Sequence, residues 1–183
     1  KNLEYHLYAN HLIRNGKALC FAGLFLDSKL SEKWLKIGVK IISREVNEQI
    51  LEDGGHIELS PMYHSNTLED LLDLINISRA YPRSELSKIR KKLEQAVTKM
   101  NNWLSEMSHP DEDISFFNDS AMETSLKPKF LERYSKKLFF SQTKKNKNIS
   151  HLKDSGYVVI NNEKFKLICD VGEIGCKYTP GHG

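Results

Sequence analysis

A chain of 183 residues with 39% hydrophobic and 28% charged residues can bury one sizeable core and is ordinary for a folded globular protein, not a disordered one. Its net charge of +3 is small and evenly spread; this argues against nucleic acid as the main partner and is compatible with a locally positive cleft for an anionic sugar. No run reaches the ~18 apolar residues of a membrane span, and three cysteines (Cys20, Cys169, Cys176) make no disulfide framework.

In chain order, helix signals come first. Lys1 to Leu26 reads as a helix, with Leu3, His6, Leu7, Asn10, His11 and Arg14 on one face, apolar at its start and polar further on. Cys20 lies in its apolar stretch and reads as a buried thiol. Ser31 is the expected N-cap of a second helix, whose stripe Leu35, Val39, Ile42, Val46 and Ile50 runs to a stop at Gly54-Gly55. Thr67 is expected to cap a shorter helix, with Asp70 in capping-box position and Leu68, Leu71, Leu72 and Ile75 facing inward. Ser84 opens a long helix with Leu86, Ile89, Leu93, Val97, Met100, Leu104 and Met107 in 3/4 spacing, and Pro110 lies past its end. That seam spans only about three heptads, so ordinary helix packing is favoured over a coiled coil. Residues 110–125 read as loop, and Pro128 to about Phe140 as helix. The basic run Lys144-Lys145-Asn146-Lys147-Asn148 reads as a solvated linker.

After Ser155-Gly156 the pattern becomes β-rich. Tyr157 to Ile160 and Phe165 to Asp170 form a hairpin about an Asn161-Asn162 turn. Cys169 and Cys176 flank a later glycine-containing turn, where either a hairpin disulfide or two free thiols fits. The expected organisation is a helical portion over 1–150 and the start of a β domain over 151–183. The chain begins without Met and stops at Gly181-His182-Gly183, soon after two strands have begun. Unpaired strand edges are a liability, so it reads as a piece of a longer protein.

The densest chemistry lies at Asp53-Gly54-Gly55-His56-Ile57-Glu58-Leu59-Ser60-Pro61-Met62-Tyr63-His64. Two His, one Tyr and two carboxylates sit around a double glycine that can turn the chain and a proline that favours an ordered loop around Tyr63 and His64. The bland reading is a connector whose polar groups cap helix ends.

The run Gly-Gly-His-x-Glu-x-Ser-Pro-Met-Tyr-His resembles the heparinase II/III-like polysaccharide lyases. So do Asn10-His11-x-x-x-Asn15-x-x-Ala18-Leu19, Trp34-Leu35-x-x-Gly38, His109-Pro110-Asp111 with Phe117-Asn118-Asp119-Ser120-Ala121, and Tyr178-x-Pro180-Gly181-His182. The resemblance implies a mainly α chain: an incomplete α/α toroid of helical hairpins followed by the start of an antiparallel β-sandwich. It also implies β-elimination on a uronic-acid-containing polysaccharide such as a glycosaminoglycan or alginate, and a periplasmic or extracellular location.

Such an elimination needs a group that neutralises the uronate carboxylate, a base for the C5 proton and an acid for the leaving oxygen. By resemblance the catalytic set is Asn10 on the carboxylate, His11 as base or substrate contact, Tyr63 as acid, and His182 as base reaching from the β domain. His56, Glu58 and His64 are the expected substrate-binding residues. Each also has an ordinary structural reading, as a helix-surface Asn, a His held by a carbonyl or a packed Tyr. No cofactor is expected within the chain: no His/Cys spacing has zinc-ligand form, and the family's structural metal residues would follow Gly183. No glycine pattern makes a phosphate cradle. The expected partner is the acidic polysaccharide, with no nucleic acid and no membrane span; oligomeric state carries no sequence signal. The piece alone is expected to have little lyase activity. Two other classes stay open, a catalytically silent sugar-binding or polysaccharide-assembly protein on the same fold, and a helical-repeat interaction module. Convergence of Asn10, Tyr63 and His182 on one cleft favours the enzyme.

Overall fold

The computed structural model describes residues 3–7, 9–139 and 148–173. Helices α1 (Asn10–Phe25), α2 (Lys29–Gln49), α3 (Pro61–Ala80), α4 (Glu85–Lys88), α5 (Arg90–Glu106) and α6 (Pro128–Leu138) precede strands β1 (Ile149–Leu152), β2 (Tyr157–Asn161) and β3 (Lys166–Asp170). The chain is mainly helical with a small antiparallel sheet at the C-terminal side, as expected.

α1 and α2 form a hairpin joined by Leu26 to Ser28. The cap of α2 is Ser28, not Ser31. The Ser28 hydroxyl accepts from the Ser31 N–H at 3.1 Å, and the Ser31 hydroxyl accepts from the Ser28 N–H at 2.9 Å. This reciprocal box satisfies two donors at once, so the helix starts three residues earlier than a lone Ser31 cap would have it. The two helices cross closely at Gly38, where a Cβ would lie 2.8 Å from both the Cys20 sulfur and the Gly16 carbonyl oxygen. Cys20 is fully enclosed, and burial pushes its thiol up to about 12.

α1 does not extend back to Lys1. Residues 5–7 are turns, and Ala9 has φ 51° and ψ −143°, which no helix contains. α2 ends at Gln49, ahead of Gly54-Gly55. Ile50 is already extended and bridges to His56. The glycines serve the turn that follows: Gly54 has φ 98°, and a Cβ there would stand 2.3 Å from the Lys99 carbonyl oxygen.

α3 is the central helix, packed on α1, α5 and α6. It begins at Pro61 under a Ser60 cap, so the expected loop around Tyr63 and His64 is its first turn and Thr67 is internal. Leu68, Leu71, Leu72 and Ile75 are fully buried as the periodicity predicts. The long helix expected from Ser84 is broken at Ile89 (φ −97°, ψ 0°) into α4 and α5, while its stripe from Leu86 to Met107 packs in the core.

The sheet has order β1-β2-β3, with Ser150 opposite Val159 and Val158 opposite Cys169. The β2–β3 hairpin is the expected one. β1 escapes notice because Ile-Ser-His-Leu is short, with one buried residue. Leu152, Tyr157 and Val159 pack on Trp103 and Met107. Asp53 holds the β1–β2 turn, its Oδ2 accepting from the backbone N–H of Asp154 and Ser155 and from the Ser155 hydroxyl at 2.7–2.9 Å. The sheet is thus fastened to the segment that leads into α3. Cys169 is a free thiol in β3; Cys176 lies outside the described residues.

Candidate active site

The site is built around the starts of α1 and α3. Asn10, the first residue of α1, is 6% exposed. Its side-chain Nδ2 and its backbone N–H both donate to Glu58 Oε1, at 2.8 and 3.0 Å. Ala9 offers no capping side chain, so this carboxylate from a different segment takes the place of a cap and complements the helix dipole. One residue back, the Ala9 carbonyl accepts from Gln49 Nε2 at 2.7 Å. The other Gln49 N–H goes to Glu45 Oε2, also at 2.7 Å, leaving Gln49 Oε1 to accept from His56 Nε2 at 2.9 Å. His56 Nδ1 then accepts from the Glu58 N–H at 3.4 Å, and one tautomer satisfies every bond. The Ala9–Asn10 peptide is held at both its carbonyl and its N–H, which is how a non-glycine residue is kept at positive φ despite a cost of ~1–3 kcal/mol.

α3 starts on the same plan. Leu59 has φ 55°. Its carbonyl accepts from Asn118 Nδ2 at 2.8 Å and from the Tyr157 hydroxyl at 2.7 Å. The Ser60 hydroxyl caps Tyr63 and contacts the Asp119 carbonyl and the Ser120 hydroxyl. This places the Asp119 carboxylate against the Tyr63 hydroxyl, with which it hydrogen-bonds. Burial, then the charge and hydrogen bond of Asp119, raise the Tyr63 phenol, with a further push from Glu58 and a smaller opposing pull from Arg14. Tyr63 therefore carries its proton at neutral pH. Arg14, one turn after Asn10, is about half exposed and lies 3.5 Å from Asp70. Lys17 bonds Asp70 and Asp73 at 2.8 and 2.6 Å.

Glu58 thus bonds Asn10 directly and is near enough for its charge to act on the Tyr63 phenol. The other expected residues fall elsewhere. His11 is exposed and faces Glu4, 3.5 Å from its carboxylate. His56 and His64 are fully enclosed and Glu58 is 2% exposed, so the three expected substrate contacts are interior groups here. Burial, partly opposed by Glu58, brings His56 down to about 4. Burial, with His56 nearby, brings His64 down to about 3. His64 bonds the Met100 carbonyl at 3.1 Å and stacks on Trp103 with ring centroids 4.4 Å apart. His182 lies outside the described residues. Sequence reasoning gave no chemistry to Arg14, Asp119 or Gln49. Arg14 shares the polar face of Asn10, and Asp119 sits in a motif already singled out; nothing local marks Gln49. Among the described residues no His/Cys/Asp/Glu group is placed to hold a metal, and no helix is long and apolar enough to cross a membrane.

Residues 2–147 match the family described as Heparinase II/III N-terminus. The chain belongs to the heparinase II/III family. A heparin-sulfate lyase of Bacteroides stercoris is 30% identical over 132 residues, 71% of this chain and 19% of the relative. One of Pedobacter heparinus is 28% identical over 124 residues, 64% of this chain and 18% of the relative. This heparinase II/III family chain therefore spans about a fifth of the length of the curated relatives it matches. The crystal structure of heparinase III superposes with a TM-score of 0.71 at 24% identity, covering 86% of this chain and 28% of that one. Heparan sulfate lyase HepC from Pedobacter heparinus gives 0.61 at 22% identity, covering 84% and 26%. These likenesses establish the shared fold.

Proposed function

We propose that the full-length protein is a polysaccharide lyase that cleaves a uronic-acid-containing acidic polysaccharide by β-elimination. The observation that carries this reading is that Glu58, which holds Asn10, also acts through its charge on the Tyr63 phenol, as does the half-exposed Arg14. In this reading the second Asn10 N–H and the Arg14 guanidinium face the substrate carboxylate and spread its charge, which acidifies the C5–H bond. His182 removes that proton. The C–H electron pair becomes the C4–C5 double bond, the C4–O bond breaks, and the proton-bearing Tyr63 hydroxyl protonates the leaving oxygen. His11, exposed at the rim, contacts the sugar chain. The same reading puts the enzyme in the periplasm or outside the cell, where a polysaccharide is met.

The test is full-length protein incubated with heparan sulfate and a panel of other uronate polysaccharides, followed by the ultraviolet absorbance of the unsaturated product. Absorbance that grows with time supports the reading. Binding without absorbance would favour a catalytically silent sugar-binding protein, and neither would leave an interaction module.

A further inference from the structure

Glu58 lies inside the molecule, where a substrate cannot touch it, yet it holds the residue assigned to the uronate carboxylate. Both Asn10 donors that it receives end on one oxygen, Oε1. The backbone bond fixes where α1 begins. The side-chain bond fixes which end of the amide is nitrogen, since Oε1 already accepts from the backbone N–H. One Nδ2 hydrogen is then occupied and the other has a set direction. Gln49 holds the preceding carbonyl from the opposite side, and His56 ties Gln49 to the Glu58 backbone. The positive φ of Ala9 is the signature of a chain forced into place at this point.

We propose that Glu58 is the positioning residue of the active site: by gripping the Asn10 backbone and amide together, it aims the second amide N–H at the substrate carboxylate. The inference rests on the lyase reading. Small misplacements of such a group cost up to ~10²-fold in rate. Glu58→Gln keeps the shape, but an amide oxygen in place of the carboxylate oxygen weakens both bonds that Asn10 donates, so the grip on the Asn10 amide loosens.

The experiment uses full-length protein on heparan sulfate, or on whichever uronate polysaccharide gives product. It measures kcat and KM for wild type, E58Q, N10A and the double variant. Glu58 acting through Asn10 predicts a ~10–10²-fold loss of kcat in E58Q and no further loss when E58Q is added to N10A. A merely structural Glu58 predicts the same factor in both backgrounds, which overturns the proposal, as does wild-type kcat in E58Q. Should E58Q fail to fold by circular dichroism, Glu58→Asp keeps the carboxylate but draws it back by one methylene from the Asn10 donors. The same dependence on Asn10 is then expected, and its absence is equally fatal. Wild-type protein that eliminates on no uronate polysaccharide removes the lyase reading itself, an outcome separate from a failed cycle in an active enzyme.

Discussion

The Tyr157 hydroxyl, on the first residue of β2, donates to the Leu59 carbonyl at 2.7 Å, across 98 positions of sequence. That carbonyl belongs to the residue just before the cap of the Tyr63 helix, and Asn118 reaches both groups, its Nδ2 lying 2.8 Å from the Leu59 oxygen and 3.1 Å from the Tyr157 oxygen. The sheet and the 117–120 loop together hold the start of α3. Tyr157→Phe keeps the ring contacts with Trp103 and Phe117 but removes this donor. We expect a loss of about 1–3 kcal/mol in denaturant unfolding. An unchanged midpoint would mean the bond contributes nothing to docking the sheet.

Asn10 and Tyr63 stand out in the sequence as candidate site residues because they lie in long motifs. The core was legible because Leu68, Leu71, Leu72 and Ile75, and Leu86 through Met107, keep a 3.6-residue period that only packing explains. The starts of α1 and α3 were not. Ala9 and Leu59 take positive φ without being glycine, asparagine or aspartate, and their bonds come from Gln49, Asn118 and Tyr157, all remote in sequence. His56 and His64 read as cleft groups because residue type does not reveal burial. Only the surrounding helices and Trp103 turn them into neutral interior groups.

Gly54 gives a test of the motif's backbone. With φ 98° and the Lys99 carbonyl oxygen 2.3 Å from any added Cβ, Gly54→Ala meets both an unfavourable conformation and an immovable neighbour. Such combined effects lie in the upper range of single-substitution costs, about 3 kcal/mol or more. Thermal unfolding should show a large drop, and a drop comparable to that of an exposed surface substitution would contradict the close approach.

Tyr63→Phe removes a proton donor while leaving the packing of a half-buried ring. On the proposed lyase reading, turnover of the full-length protein falls by ~10²–10⁴ with the melting temperature nearly unchanged. Near-normal turnover would take the acid role from Tyr63.

The two enclosed histidines set an acid limit on stability. Folded His56 and His64 are neutral, with pKa values lowered to about 4 and about 3, against an ordinary value of 6.5 once unfolded. Below 6.5 the unfolded chain binds protons that the folded chain refuses, so the stabilisation is fully present above pH 6.5. It is lost as pH falls to about 4 for His56 and about 3 for His64, at roughly 1.4 kcal/mol per pH unit for each group. Carboxylates add their own loss at the acid end, so the informative quantity is a difference between variants. His64→Phe preserves a flat ring on Trp103 and gives up one bond to the Met100 carbonyl, which keeps its helical partner. Its unfolding free energy, followed from pH 7 to pH 4.5 by denaturant titration, should fall less steeply than wild type by about 1.4 kcal/mol per pH unit. Parallel curves would show that His64 is not neutral in the fold, and with it would go the argument that the His64 ring is sealed from solvent and substrate.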